Sequence, residues 1–126
     1  MERITTMLPR ESARLDADQL EKLYTSLGEV EADNVLSRAM EEMAIRIKQS
    51  EKLYDAGASE EMRRTICSLI RIADQVGMNT VSRVSGDVLI CLDRGDWISL
   101  GATFARLVRS SDQSLTAIWD LQDITV

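Results

Sequence analysis

The stretch Met62-Arg63-Arg64-Thr65-Ile66-Cys67-Ser68-Leu69-Ile70-Arg71-Ile72-Ala73-Asp74-Gln75-Val76-Gly77 reads as an amphipathic helix. At about 100° per residue, Met62, Ile66, Leu69, Ala73 and Val76 share one stripe. Cys67 falls roughly 140° away, on the outer face. Arg63 and Arg64 lie one turn before it, and Ile70 and Arg71 one turn after. A thiol is therefore expected to face solvent among three arginines and an isoleucine, halfway along a helix whose other side is core.

The flanking segments carry the same helical period. Asp16 is expected to cap a short helix, with Gln19 reaching back as in a capping box and Leu15 and Leu20 at hydrophobic-staple spacing. Leu20, Leu23, Tyr24 and Leu27 form its inward stripe, and Gly28 stops it. A long helix is predicted from about Glu31 to Ala56 on Val35, Leu36, Ala39, Met40, Met43, Ile47 and Leu53, ended by Gly57. Ser59 is expected to cap the quoted helix, with Glu60 and Glu61 in its first turn, where acids suit the helix dipole. The next helix covers about Asn79 to Asp93, with Val81, Val84, Val88, Cys91 and Leu92 inward and Gly86 as a point of close approach. Asp96 caps a last helix whose Trp97, Leu100, Phe104, Leu107, Val108, Leu115, Ile118 and Trp119 are expected to face the core. Met40, Met43 and Met62 read as core filler because of their helical spacing.

Residues 1–14 form an irregular or partly helical lead-in broken by Pro9, 15–120 the bundle, and 121–126 a frayed tail. The expected fold is all-α: an antiparallel up-and-down four-helix bundle with a short extra N-terminal helix.

Composition narrows the chemistry. The chain has 126 residues, enough for one domain, and 44% are hydrophobic, enough for a core. One proline and six glycines leave little to punctuate a many-stranded sheet. With a net charge of −6 and no Lys/Arg block, nucleic acid is a poor partner. There is no histidine. Histidine acid–base chemistry, histidine metal ligation and phosphohistidine all go with it. Cys67 and Cys91 are not spaced as a metal or redox motif, so no metal and no cofactor is expected. The start, Met-Glu-Arg-Ile-Thr-Thr, lacks an apolar signal region, and no apolar run would span a membrane. Reduced thiols and a cytoplasmic location are the expectation.

Several pieces, in this order and spacing, carry a family resemblance. They are Leu15-Asp16 with Leu20, the long second helix, Ala56-Gly57 with Glu60, and Arg63-Arg64. Ser68-Leu69, Ala73, Val76-Gly77, Val81, Asp93-Arg94-Gly95-Asp96-Trp97 and Leu100 complete them. From about Leu15 to Trp119 the chain resembles histidine-containing phosphotransfer (HPt) domains. The family's His-x-x-Lys-Gly motif falls here on Cys67, Ile70 and Arg71, and all three depart from it. The resemblance therefore implies a degenerate member of two-component phosphorelay signalling that passes no phosphoryl group and is not an enzyme. Its partner would be a response-regulator receiver domain or a histidine kinase. Arg63, Arg64, Cys67, Ile70, Arg71 and Asp74 would form the docking face, with Cys67 at the phosphoacceptor position. The arginines suit an acidic partner surface, and Glu60 and Asp74 dilute their charge.

Other readings stand beside this one. Cys67 is an inert thiol, an interface residue or a redox sensor. The arginines are a solvated face or an anion site. Cys91 is a small core residue, and Glu41-Glu42 lie on an outer, solubilising side. The alternative function is a helical homodimer or assembly protein with a decayed phosphotransfer surface, self-associating through apolar positions such as Ile70 and Met78.

Overall fold

A computed structural model describes the backbone of residues 15–125 and the side chains of residues 15–122. The expected lead-in with Pro9 lies outside the described residues. Five helices and no strand occur among them: α1 (Ala17–Leu27), α2 (Glu29–Asp55), α3 (Ser59–Val76), α4 (Asn79–Arg94) and α5 (Trp97–Thr125). No helix of the described residues is long and apolar enough to cross a membrane. The chain is an all-helical bundle. Each of α2 to α5 packs on the next, and α5 closes back on α2 through a smaller contact.

Helix length explains the place of α1. At about 1.5 Å per residue, α2 and α5 are each roughly 40 Å long, whereas α3 and α4 are about 25 Å. The surplus lies where α2 begins and α5 ends, and there the Gln122 amide donates to the Asp33 carbonyl at 3.4 Å. α1 packs against α2 and α3 and buries Leu20 and Tyr24. One contiguous core results, in which Leu20, Leu36, Met43, Met62, Ile66, Leu69, Leu100, Leu107 and Ile118 are all but inaccessible. Each such side chain contributes about 1.5–3 kcal/mol by leaving water. Met40, Met43 and Met62 are buried, as their spacing implied.

The turns after α2, α3 and α4 share one geometry. Each places a glycine (Gly57, Gly77, Gly95) at positive φ. The next amide then reaches back: Ala58 to Leu53, Met78 to Ala73 and Asp96 to Cys91, each at 2.9–3.0 Å. Carbonyls left open at the helix end are satisfied this way. At the turn after α3, α1 adds a second layer. The Asp16 amide donates to the Gly77 carbonyl at 2.7 Å, and the Gln19 side-chain amide donates to the Asp74 and Gln75 carbonyls at 2.6 and 2.9 Å.

Several local expectations are corrected. Asp16 caps α1 through the Gln19 amide, but the Gln19 side chain spans to α3 instead of closing a capping box. Ser59 is the first residue of α3, whose N-cap is Ala58 with no side-chain hydrogen bond. Glu29, not Glu31, starts α2, and α4 runs one residue past Asp93. α5 continues as helix through the first residues given to the tail, to Thr125. Leu27 is 44% exposed, because the chain turns away at Gly28 and nothing covers the end of α1. Trp97 and Trp119 are 57% and 62% exposed. Trp97 sits on the first turn of α5, and Trp119 lies about 100° round from the buried Ile118. A β-carbon at Gly86 would meet nothing within 4 Å, so no helix approaches it closely. Cys91 is half-buried beside the core, its thiol donating to the Thr103 hydroxyl at 3.7 Å.

Tyr24 carries a pH prediction. Its hydroxyl donates to Asp33 Oδ1 at 2.6 Å, across the joint between α1 and α2. Burial first, then this acidic partner, push the phenol well above its ordinary value of 10.0. The unfolded chain therefore ionises before the folded one, and this contribution is present below pH 10 and lost as pH rises beyond it. The melting temperature should fall above pH 10, and Tyr24→Phe should flatten that fall. An equal slope in both proteins would refute the assignment.

Candidate functional site

The outer face of α3 does gather the residues its period implied. Arg63, Arg64, Arg71 and Asp74 are exposed there, and Cys67 and Ile70 are half-buried between them. Half-burial corrects the expectation of a solvent-facing thiol at Cys67. The neighbouring helix and the Arg63 side chain flank it, and Arg63 Nη1 donates to the sulfur at 3.9 Å.

The arginines do not act as one cluster. Arg63 forms a two-pronged bridge to α4, Nε to Asp93 Oδ1 at 2.8 Å and Nη2 to Asp93 Oδ2 at 3.1 Å. That hydrogen bonding raises the guanidinium pKa and holds the Asp93 carboxyl below its usual range. The pair is open to solvent, so it orients Arg63 more than it stabilises the fold. Arg71 turns back along its own helix, its Nη2 donating to the Ser68 hydroxyl at 3.2 Å. Arg64 is exposed on the opposite flank, where it lines a shallow depression of about 370 Å³ with Gln49, Lys52 and Glu61. The cationic side of the face thus runs from Arg71 past Arg64 towards Lys52 on α2, while the Arg63 side is neutralised by Asp93.

Sequence reading missed Asp93 and Lys52 as parts of this surface. Asp93 is thirty residues from Arg63, and helical period within α3 carries no signal of it. Lys52 lies on a different helix, so the period of α3 carries no signal of it either. Met78, expected with Ile70 as an exposed apolar strip, is fully buried under α1, where Leu15 pairs with it by backbone. Glu41 and Glu42 are exposed, as their positions implied.

Chemically, the face offers guanidinium donors, a sheltered thiol and one apolar side chain. Its Asp93 carboxylate is taken up by Arg63, so it is poorly placed to serve Cys67 as a base. Among the described residues, no group of three or more Cys, Asp or Glu side chains is arranged to hold a metal ion. The chain was compared with protein-family models, with curated proteins and with solved structures, and none of the three comparisons found a match.

Proposed function

We propose that this chain is a signalling interaction module similar to an HPt domain, docking a receiver domain or the receiver-facing part of a histidine kinase without passing a phosphoryl group. On this reading α2 to α5 are the family's antiparallel up-and-down four-helix set, and α1 is an addition that seals one end. The observation that carries the proposal is Cys67. It sits mid-helix, flanked by exposed cations, in a chain with no histidine, and the sequence resemblance aligns it with the family's phosphoacceptor position. A thiol offers neither the geometry nor the intermediate stability of imidazole as acceptor from an aspartyl phosphate, so on this reading the surface binds and does not relay phosphate by the family's mechanism. Arg64 and Arg71, which form no ion pair among the described residues, are the cations available to an acidic pocket, since Arg63 is held by Asp93 and Arg71 bonds only the neutral Ser68 hydroxyl.

The test is a titration of the isotopically labelled protein with receiver domains, each with and without a phosphate mimic. Resonance shifts should gather on Arg64, Cys67, Ile70 and Arg71. Arg64→Glu with Arg71→Glu should weaken binding at least tenfold, about 1.4 kcal/mol, while Cys67→Ala should change it less than twofold. Unchanged affinity in the double reversal would place binding elsewhere. Label moving from a phosphorylated receiver onto this protein would refute the phosphate-silent reading.

A further inference from the structure

Away from the α3 face, the seam where α5 closes on α2 is the loosest helix pair of the closed bundle, and a groove runs along it. One hollow of about 340 Å³ opens at the end of the bundle, between Leu53, Met62, Trp97 and Leu100. A second, of about 410 Å³, continues along the seam past Gly101, Phe104, Ala105 and Val108. Tyr54 and Asp55 border both hollows, which makes them one groove. Its floor is apolar and built. Tyr54 stacks on Phe104 with ring centroids 5.2 Å apart, and Gly101 leaves the space in which a β-carbon would meet the Tyr54 hydroxyl at 3.1 Å. Its mouth exposes large apolar groups: Trp97 is 57% exposed, Tyr54 37%, and the adjacent Ile98 92%.

Charge says what would cover it. Glu51 and Asp55 stand one helical turn apart on the α2 lip, exposed, and neither is in an ion pair among the described residues; Arg109 is the one cation on the facing α5 lip among the residues lining this hollow. A second copy docked through the same groove would bring its own Glu51 and Asp55 to this lip, in a chain whose net charge is already −6. From Trp97 to Arg109 the α5 side of the groove is about 18 Å long, room for roughly three turns of a helix. We propose that the α2–α5 groove is a docking site for a basic amphipathic helix of another protein. Its apolar face would lie over Tyr54, Trp97 and Phe104, and its Lys or Arg side chains would meet Glu51 and Asp55. This site adjoins the depression beside Arg64, with which it shares Leu53.

The test uses the full chain with Trp119→Phe, so that emission reports Trp97 alone. A sixteen-residue Leu/Lys amphipathic peptide serves as probe, and its Leu/Glu counterpart as control. The expected result is a saturable blue shift with the Lys peptide and none with the Glu peptide. Glu51→Lys with Asp55→Lys should weaken binding at least tenfold, and Ala105→Phe, which fills the groove without adding a second emitting tryptophan, should abolish it. Glu42→Lys with Asp120→Lys changes net charge equally but away from the groove, and should retain binding; far-ultraviolet circular dichroism checks that each variant folds. No saturable shift would overturn the proposal, as would equal losses from the two double reversals. Sedimentation showing a dimer that Ala105→Phe converts to monomer would also overturn it, by assigning the groove to a second copy.

Discussion

Leu69→Ala should remove about 2–5 kcal/mol of stability, the range for emptying a fully buried leucine site. Leu69 has no accessible surface and lies two residues past Cys67, on the side of α3 turned to the core. α3 packs on α2, α4 and α1. The loss therefore falls inside the contiguous core, where close-packed neighbours have little freedom to collapse into the gap. A domain of this size has only about 5–15 kcal/mol to lose. Urea unfolding followed by far-ultraviolet circular dichroism should show a large drop in midpoint with an unchanged slope. Arg64→Ala, on the exposed side of the same helix, should stay within about 0.5 kcal/mol of wild type. Similar midpoints for Leu69→Ala and wild type would mean that α3 is not oriented as described.

Gly77→Ala should cost about 2–3 kcal/mol, well above the roughly 1 kcal/mol expected from backbone strain alone. Gly77 has φ +77°, where a side chain is disfavoured. An added β-carbon would also sit 3.1 Å from the Asp16 β-carbon and 3.3 Å from its carbonyl oxygen. Asp16 has little freedom to retreat, because its amide is bonded to the Gly77 carbonyl and its carboxylate caps α1. If it moved, the bonds from Gln19 to the end of α3 would be disturbed with it. Gly95→Ala is the internal control: φ is +65°, but nothing lies within 4 Å of the new atom. Thermal melts should rank wild type above Gly95→Ala, and Gly95→Ala above Gly77→Ala. Hydrogen exchange in Gly77→Ala should rise first in α1. Equal costs at the two glycines would show that α1 does not bear on this turn.

These two sites differ in how far they could be read from the chain. The inward position of Leu69 follows from the spacing of Met62, Ile66, Leu69, Ala73 and Val76, and all five are buried. The stop at Gly77 was equally legible, since a glycine after an apolar period is a local signal. That Asp16 would press against it was not, because the contact joins residues some sixty positions apart. The docking face divides the same way. Period alone put Arg63, Arg64, Cys67, Ile70, Arg71 and Asp74 on one side of α3. It could not tell that Asp93 ties up Arg63, or that Arg71 folds back onto Ser68.

By itself the sequence determined the all-helical character, the main helices and the inward stripes of α2, α3 and α4. It also located the glycines that end α3 and α4, because these depend on neighbours three or four residues away. Tertiary structure alone decided which helix ends are covered. Leu27, Trp97 and Trp119 keep the phase of an apolar stripe or lie at its edge, yet remain largely in solvent at the helix ends. It also decided where Gln19 donates, that Met78 is sealed, and that α2 and α5 leave a groove between them. Helical period fixes a direction around one axis; what stands in that direction is set by segments far away in the chain.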